Sequence, residues 1–197
     1  MAGPVAVAAV IATLRTSQGL PFGNSSRVVL WEFVGIKDSK KLSVKKREEW
    51  YKKIKSHPLI GGLNLKSELA FVSPKTIDKI GISKALMIAV KRTIKKLEKT
   101  AKINPRNCFV LLDGSLRAPK EYEQKTIIKG DEKIPLISAA SIIAKVARDK
   151  KMTRLHKKFP AYCFDKHKGY GTKLHYKMLK KHGISKEHRK SFCKSIK

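Results

Sequence analysis

The feature that most constrains the fold of this chain is a short uninterrupted apolar run at residues 108–112 (CFVLL), closed by Asp113 and Gly114. Five apolar residues without alternation are too few for a helix, and suit a strand buried on both faces. Such a strand needs helices to cover it, and the sequence supplies them. Ser83 reads as an N-cap, after which Leu86, Val90, Ile94 and Leu97 recur at helical spacing, with Lys91, Arg92, Lys95 and Lys96 on the opposite face. Asn104-Pro105 ends that helix. Residues 137–152 read as a second strong helix, with a face of small residues (Ala139, Ala140, Ser141, Ala144) that allows close backbone approach.

Further strands are expected at residues 2–14 (Val5, Val7, Val10 and Ile11 inside), 27–33 (RVVLWEF), 63–72 and 126–129 (TIIK). Ser43 opens a polar helix over 44–55 that turns Trp50, Tyr51 and Ile54 inward, and Ser73-Pro74 starts a short helical turn. Residues 16–26, rich in Gly, Pro, Asn and Ser, read as an exposed connection. From Lys158 onward the chain is dense in His, Lys and aromatic residues, with a loop at Gly169 and Gly171. At 197 residues the whole fits one α/β domain.

The net charge of +30, from 45 Lys and Arg against 15 Asp and Glu, exceeds what solubility asks and points to a polyanionic partner. The plainer reading is a protein that is simply lysine-rich. Cys108, Cys163 and Cys193 are odd in number and lack a CxxC pattern, which speaks against a disulfide framework or a zinc site and for a reducing cytoplasm. The apolar run after Met1 has no preceding basic residue and is too short to span a membrane, so neither a signal peptide nor a membrane location is expected.

Aspartate is sparse, which makes its placement informative. Asp113 follows the CFVLL strand and Asp131 follows TIIK, both close to the start of the small-residue helix. Two carboxylates at strand ends suit Mg²⁺, which takes oxygen ligands and shares them with substrate phosphates. A pair of such ions about 3.5–4 Å apart supports in-line phosphodiester cleavage. Asp before Gly is equally a common turn, so the pair read alone also fits a structural role.

The surrounding sequence resembles the ribonuclease HII family. GIKDSKKLS at 35–43 is similar to that family's GLNDSKKLS block, LLDG at 111–114 to its strand end, and KGD at 129–131 to its K-G/A-D motif. SAASIIAKVARD at 138–149, FDKHKGYGT at 164–172 and HRKSF at 188–192 follow in the family's order. The resemblance implies a ribonuclease-H-like mixed sheet flanked by helices, with a core over 1–157 and a helical substrate-binding tail over 158–197 of the same domain. It implies endonucleolytic hydrolysis of the RNA strand of RNA–DNA hybrids and of single ribonucleotides embedded in DNA, as in DNA repair and replication, by a monomer using Mg²⁺ or Mn²⁺. Asp113 and Asp131 match two of four catalytic, metal-holding carboxylates. Tyr170 matches a tyrosine that packs on the sugar at the RNA-to-DNA junction, beside the reading of a loop aromatic packed on the core. Lys40 and Lys41 would contact phosphate or form a solvated cluster, while Ser138, Ser141 and Lys145 would support the site or the nucleic-acid backbone. Asp149, next to Arg148, reads as an ion-pair partner. His167, His182 and His188 read as structural or phosphate-facing.

One departure matters. In the family the stretch resembling Ala2-Gly3-Pro4-Val5 is preceded by a strand ending in DEAGRG, which carries the other two carboxylates, and Asp131-Glu132 is the only DE here. The expectation is a chain lacking its N-terminal strand and impaired or inactive as written. A truncated reading frame is favoured over a nucleic-acid-binding pseudo-nuclease, because removing an inner strand strands buried backbone groups at roughly 1–3 kcal/mol each.

Overall fold

The computed structural model describes residues 1–14, 36, 39, 41–56, 59, 60, 63–102 and 104–194. The connection expected at 16–26, the strand at 27–33 and Lys40 lie outside the described residues. The architecture is mixed α/β. β1 (Val5–Leu14), β3 (Leu63–Val72) and β2 (Leu59–Ile60) form one sheet in the order β1-β3-β2, with β2 and β3 antiparallel. β4 (Phe109–Asp113) and β5 (Glu123–Ile127) form a parallel pair. The helices are α1 (Val44–Ser56), α2 (Pro74–Ile80), α3 (Ile82–Ala101), α4 (Gly130–Lys133), α5 (Pro135–Lys158), α6 (Phe164–His167) and α7 (Lys173–His182). None of the described helices is long and apolar enough to cross a membrane.

The chain divides into two compact units. The larger comprises Val7–Ala70 and Val90–Ala144. Its core has Ile54, Leu65, Ala139 and Ile143 at one centre, with Trp50 and Tyr51 packed against them as the helical phase of α1 predicts. A second centre gathers Val90, Ile94, Leu112 and Tyr122. Thr93, fully buried on α3, satisfies its hydroxyl by donating to the Val7 carbonyl at 3.1 Å.

Three expectations need correcting here. The CFVLL strand is not buried on both faces: Leu112 packs into the core, but Phe109 is 53% exposed and Leu111 36%. Its apolar character overstated its cover, because alternate residues of a strand point to opposite faces, and only one of these meets α3 and Tyr122. The strand expected at 126–129 begins earlier, at Glu123, and ends at Ile127, since pairing with β4, not local hydrophobicity, sets its limits. Ser83 is not an N-cap but lies in the first turn of α3, which starts at Ile82. Gly81, at φ 80°, joins it to α2, and that conformation favours glycine.

The smaller unit comprises Met1–Ala6, Phe71–Ala89 and Lys145–Lys197. Ala2, Met152, Leu155, Tyr162, Phe164, Leu179 and Cys193 form its core. The Ala2 N–H donates to the Gly169 carbonyl at 3.0 Å and the Gly3 N–H to that of Glu187 at 2.8 Å. Gly3 sits at φ +81°, and a Cβ there would fall 2.3 Å from Met152 Sδ, so no other residue fits unchanged. Asp78 ties the C-terminal segment to α2 by accepting the N–H groups of Lys190 at 2.8 Å and Ser191 at 2.9 Å.

Candidate functional site

In the larger unit, the parallel register sets Asp113, the last residue of β4, beside Ile127, the last of β5. The chain then turns through Lys129, held in the left-handed region at φ 54°, and enters α4 at Gly130. The Gly130 N–H donates to Asp113 Oδ1 at 2.8 Å. A Cβ on Gly130 would lie 2.7 Å from Ile137 Cδ1 and 3.5 Å from Asp113 Oδ1, which explains glycine between Lys129 and Asp131. Asp131, nearly buried at 6% exposure, is thereby delivered next to the hydrogen bond that fixes Asp113. It lies on a helical turn four residues past the end of β5, where the sequence suggests a position two residues past a strand end.

Neighbouring residues secure this turn. Ser138 Oγ donates to the Asp131 carbonyl and so fastens the backbone of the turn that carries Asp131. Ser39 and Ser141 share a hydroxyl–hydroxyl hydrogen bond of 2.8 Å, which ties Ser39 to α5. The Arg47 guanidinium donates to the carbonyls of Ser39 at 2.7 Å and of Leu42. Lys41 Nζ lies 2.9 Å from Glu132 Oε2, an ion pair beside Asp131. Among the described residues no three His, Cys, Asp or Glu side chains gather as a metal cluster. The donors of Asp113 and Asp131 are hard carboxylate oxygens, the type that Mg²⁺ and Mn²⁺ take.

The smaller unit holds Tyr170, in the loop between α6 and α7. Its side chain is exposed, with Lys145 Nζ 5.1 Å and the Arg148 guanidinium carbon 4.7 Å from the ring centroid. This is a cation–π arrangement at the surface and not a loop aromatic packed into the core. Lys145 also pairs with Asp149 at 2.9 Å, so Asp149 is an ion-pair partner of Lys145, one turn away. Arg148 instead donates from Nε to the Pro4 carbonyl at 3.2 Å.

Behind the Tyr170 loop, His167, His175 and His188 are buried together, while His182 is exposed, its carbonyl accepting the Tyr162 hydroxyl at 3.2 Å and its ring lying edge-on to that of Tyr162. Sequence reasoning passed over His175. The signal was its phase with Leu179, one turn on along α7, since both face inward. Burial pushes the pKa of His175 and of His188 down to about 4, and lowers that of His167.

The family model of ribonuclease HII matches residues 1–195. Ribonuclease HII of Bacillus mycoides (strain KBAB4) is 41% identical over 193 residues, 98% of this chain and 64% of that protein, so the chain spans less than two thirds of this relative's length. Ribonuclease HII of Pelagibacter ubique (strain HTCC1062) is 48% identical over 158 residues, covering 80% of this chain and 78% of the relative. The structure of the PCNA:RNase HII complex from Archaeoglobus fulgidus aligns with a TM-score of 0.64 at 25% identity, over 95% of this chain and 87% of that one. The ribonuclease H2 structure from Pyrococcus horikoshii OT3, at 23% identity and a TM-score of 0.56 over 95% and 93% of the two chains, shares the fold. A model match along almost the whole sequence, with relatives at 41% and 48% identity, shows that this chain belongs to the ribonuclease HII family.

Proposed function

We propose that the chain is an endonuclease that hydrolyses the RNA strand of RNA–DNA hybrids and cuts at single ribonucleotides embedded in DNA, leaving 5′-phosphate and 3′-hydroxyl ends. The observation that carries this reading is the Gly130 N–H bond to Asp113, which couples the β4 carboxylate to the turn bearing Asp131. Asp113 and Asp131 would hold Mg²⁺ or Mn²⁺. Such ions, when bound, offset the negative charge that develops on the phosphodiester oxygens during displacement. Ser138 keeps the Asp131 backbone in place, and the ion pair of Lys41 with Glu132 keeps a cation at the edge of the turn. Lys40 and Lys41 would meet phosphate. In the smaller unit the exposed Tyr170 ring offers a flat face to a deoxyribose, and Lys145 and Arg148 beside it favour a nearby phosphate. A ring that packs closely on a sugar prefers one without a 2′-hydroxyl. We further propose that the chain works as a monomer in the cytoplasm, on DNA undergoing replication or repair.

The test is incubation of the purified chain with Mg²⁺ or Mn²⁺ and a DNA duplex carrying one ribonucleotide. Cleavage at that residue, weak if Asp113 and Asp131 alone hold the metal and abolished by Asp113→Asn and by Asp131→Asn, is the expected result. Cleavage that survives Asp113→Asn removes the site assignment. Binding of the duplex without cleavage in either metal would instead favour a non-catalytic binding protein.

A further inference from the structure

A buried imidazole is costly unless both ring nitrogens find partners, and the three buried histidines here do so in one consistent way. His175 Nδ1 lies 2.8 Å from the Tyr170 carbonyl oxygen, which can only accept, so Nδ1 carries the proton and donates. In the neutral ring Nε2 is then an acceptor. His188 Nε2, 3.0 Å away, must supply the proton for that contact. Its Nδ1 is left as the acceptor, and it receives the Ser185 N–H at 3.1 Å and the Ser185 hydroxyl at 2.7 Å. Alongside, His167 donates from Nε2 to the Tyr162 carbonyl at 2.7 Å and accepts the Gly169 N–H on Nδ1 at 3.1 Å. The His167 and His175 rings stack with centroids 4.1 Å apart. Phe164 and Tyr162 pack on this group, with the Tyr162 ring 4.9 Å from that of His188. The chain of donors therefore runs one way, from Ser185 through His188 and His175 to Tyr170.

We infer that His175 and His188 are positioning residues for nucleic-acid binding: their hydrogen-bond chain, anchored at Ser185, fixes the backbone of Tyr170 and so holds its exposed ring in place. The inference rests on the reading of Tyr170 as a nucleic-acid contact. Neither histidine touches the substrate. The backbone of the loop is pinned at both ends of the tyrosine, because Tyr170 N–H also donates to the His167 carbonyl at 2.9 Å. Protonation of His175 would set two N–H groups against each other at the His188 contact, so the chain requires neutral rings, in keeping with their lowered pKa values.

Two measurements test this. Nitrogen-15 NMR of the imidazoles in the full chain at neutral pH should show His175 protonated on Nδ1 and His188 and His167 on Nε2. Averaging tautomers or charged rings would overturn the inference, and this readout needs no nucleic acid. The second is binding of a duplex carrying one ribonucleotide, followed by fluorescence anisotropy. His175→Ala should weaken binding about fivefold, the worth of one lost hydrogen bond. His175→Asn, whose amide can replace the Nδ1 donor, should restore most of it. In a Tyr170→Ala background His175→Ala should add no further loss. Ser185→Ala, a milder change if His175→Ala folds poorly, should act in the same direction and also vanish in that background. Equal losses with and without Tyr170 would make the histidines ordinary packing and overturn the inference alone. A Tyr170→Ala chain that binds as well as the unchanged one would remove the Tyr170 contact itself, and the inference with it.

Discussion

Asp113 combines two demands that usually conflict, a fixed position and an available charge. Its Oδ1 takes the Gly130 N–H at 2.8 Å, and the residue is only partly buried. Asp113→Asn keeps the shape and an acceptor oxygen but removes the charge. Loss of residues that merely orient metal ligands costs about 10–100-fold in metal affinity or activity, so this change should lower cleavage by more than that. Its melting temperature should stay near that of the unchanged chain, measured in metal-free buffer. A second residue-scale prediction concerns pH. His175 and His188 have folded-state pKa values lowered to about 4 by burial, against an ordinary value of 6.5. The unfolded chain therefore binds more protons than the folded one between those values. The stability they contribute is complete above pH 6.5 and is lost as pH falls through that window towards 4. Thermal melts between pH 7.5 and 4.5 should show that decline, and His175→Asn should make it shallower. A melting temperature flat across the interval would contradict the neutral assignment.

At the scale of elements, the turn from β5 into α5 depends on ties more than on propensity. α4 has four residues, and its entry residue Lys129 is held at φ 54°, a conformation that costs a non-glycine residue about 1 kcal/mol or more. Ser138 is what fastens it, through the hydroxyl bond to the Asp131 carbonyl. Ser138→Ala should lower stability by about 1 kcal/mol, read by denaturant unfolding, and should reduce cleavage by more than that destabilisation implies, because Asp131 rides on the freed turn. A cleavage rate equal to that of the unchanged chain would show that α4 holds without it. The same region shows what was legible in sequence. The helix α3 was readable because Leu86, Val90, Ile94 and Leu97 repeat at helical spacing, and β3 was readable over its full length. The limits of β5 were not, because Glu123, Gln124 and Lys125 carry no apolar signal and are strand only through pairing with β4. Asp113 and Asp131 were singled out in the sequence by their motifs. The glycine contact that couples them was not, since it depends on the parallel register and on Ile137. His175 was hidden for another reason: a histidine carries the same letter whether it faces water or, as here, completes a buried hydrogen-bond chain.

For the molecule as a whole the dominant quantity is the net charge of +30. Much of it is displayed on exposed helix faces, with Lys91, Arg92 and Lys95 on α3 and Lys173, Lys177 and Lys180 on α7. Duplex binding should therefore weaken steeply with salt, the logarithm of the affinity falling by about 0.9 per phosphate neutralised for each unit of log salt. That slope separates the kinds of contact proposed above. Tyr170→Ala removes a stacking face and no charge, so it should weaken binding while leaving the slope unchanged. Lys41 presents two alternatives, a cation retained by Glu132 at 2.9 Å or one that turns to phosphate when the duplex arrives. Its side chain is 58% exposed, which leaves it room to turn. An exposed ion pair is worth little, about 0–1 kcal/mol, and yields readily to a phosphate. Lys41→Ala should accordingly reduce the slope by about 0.9. An unchanged slope would assign Lys41 to Glu132 alone and leave phosphate binding at this edge of the turn to other cations.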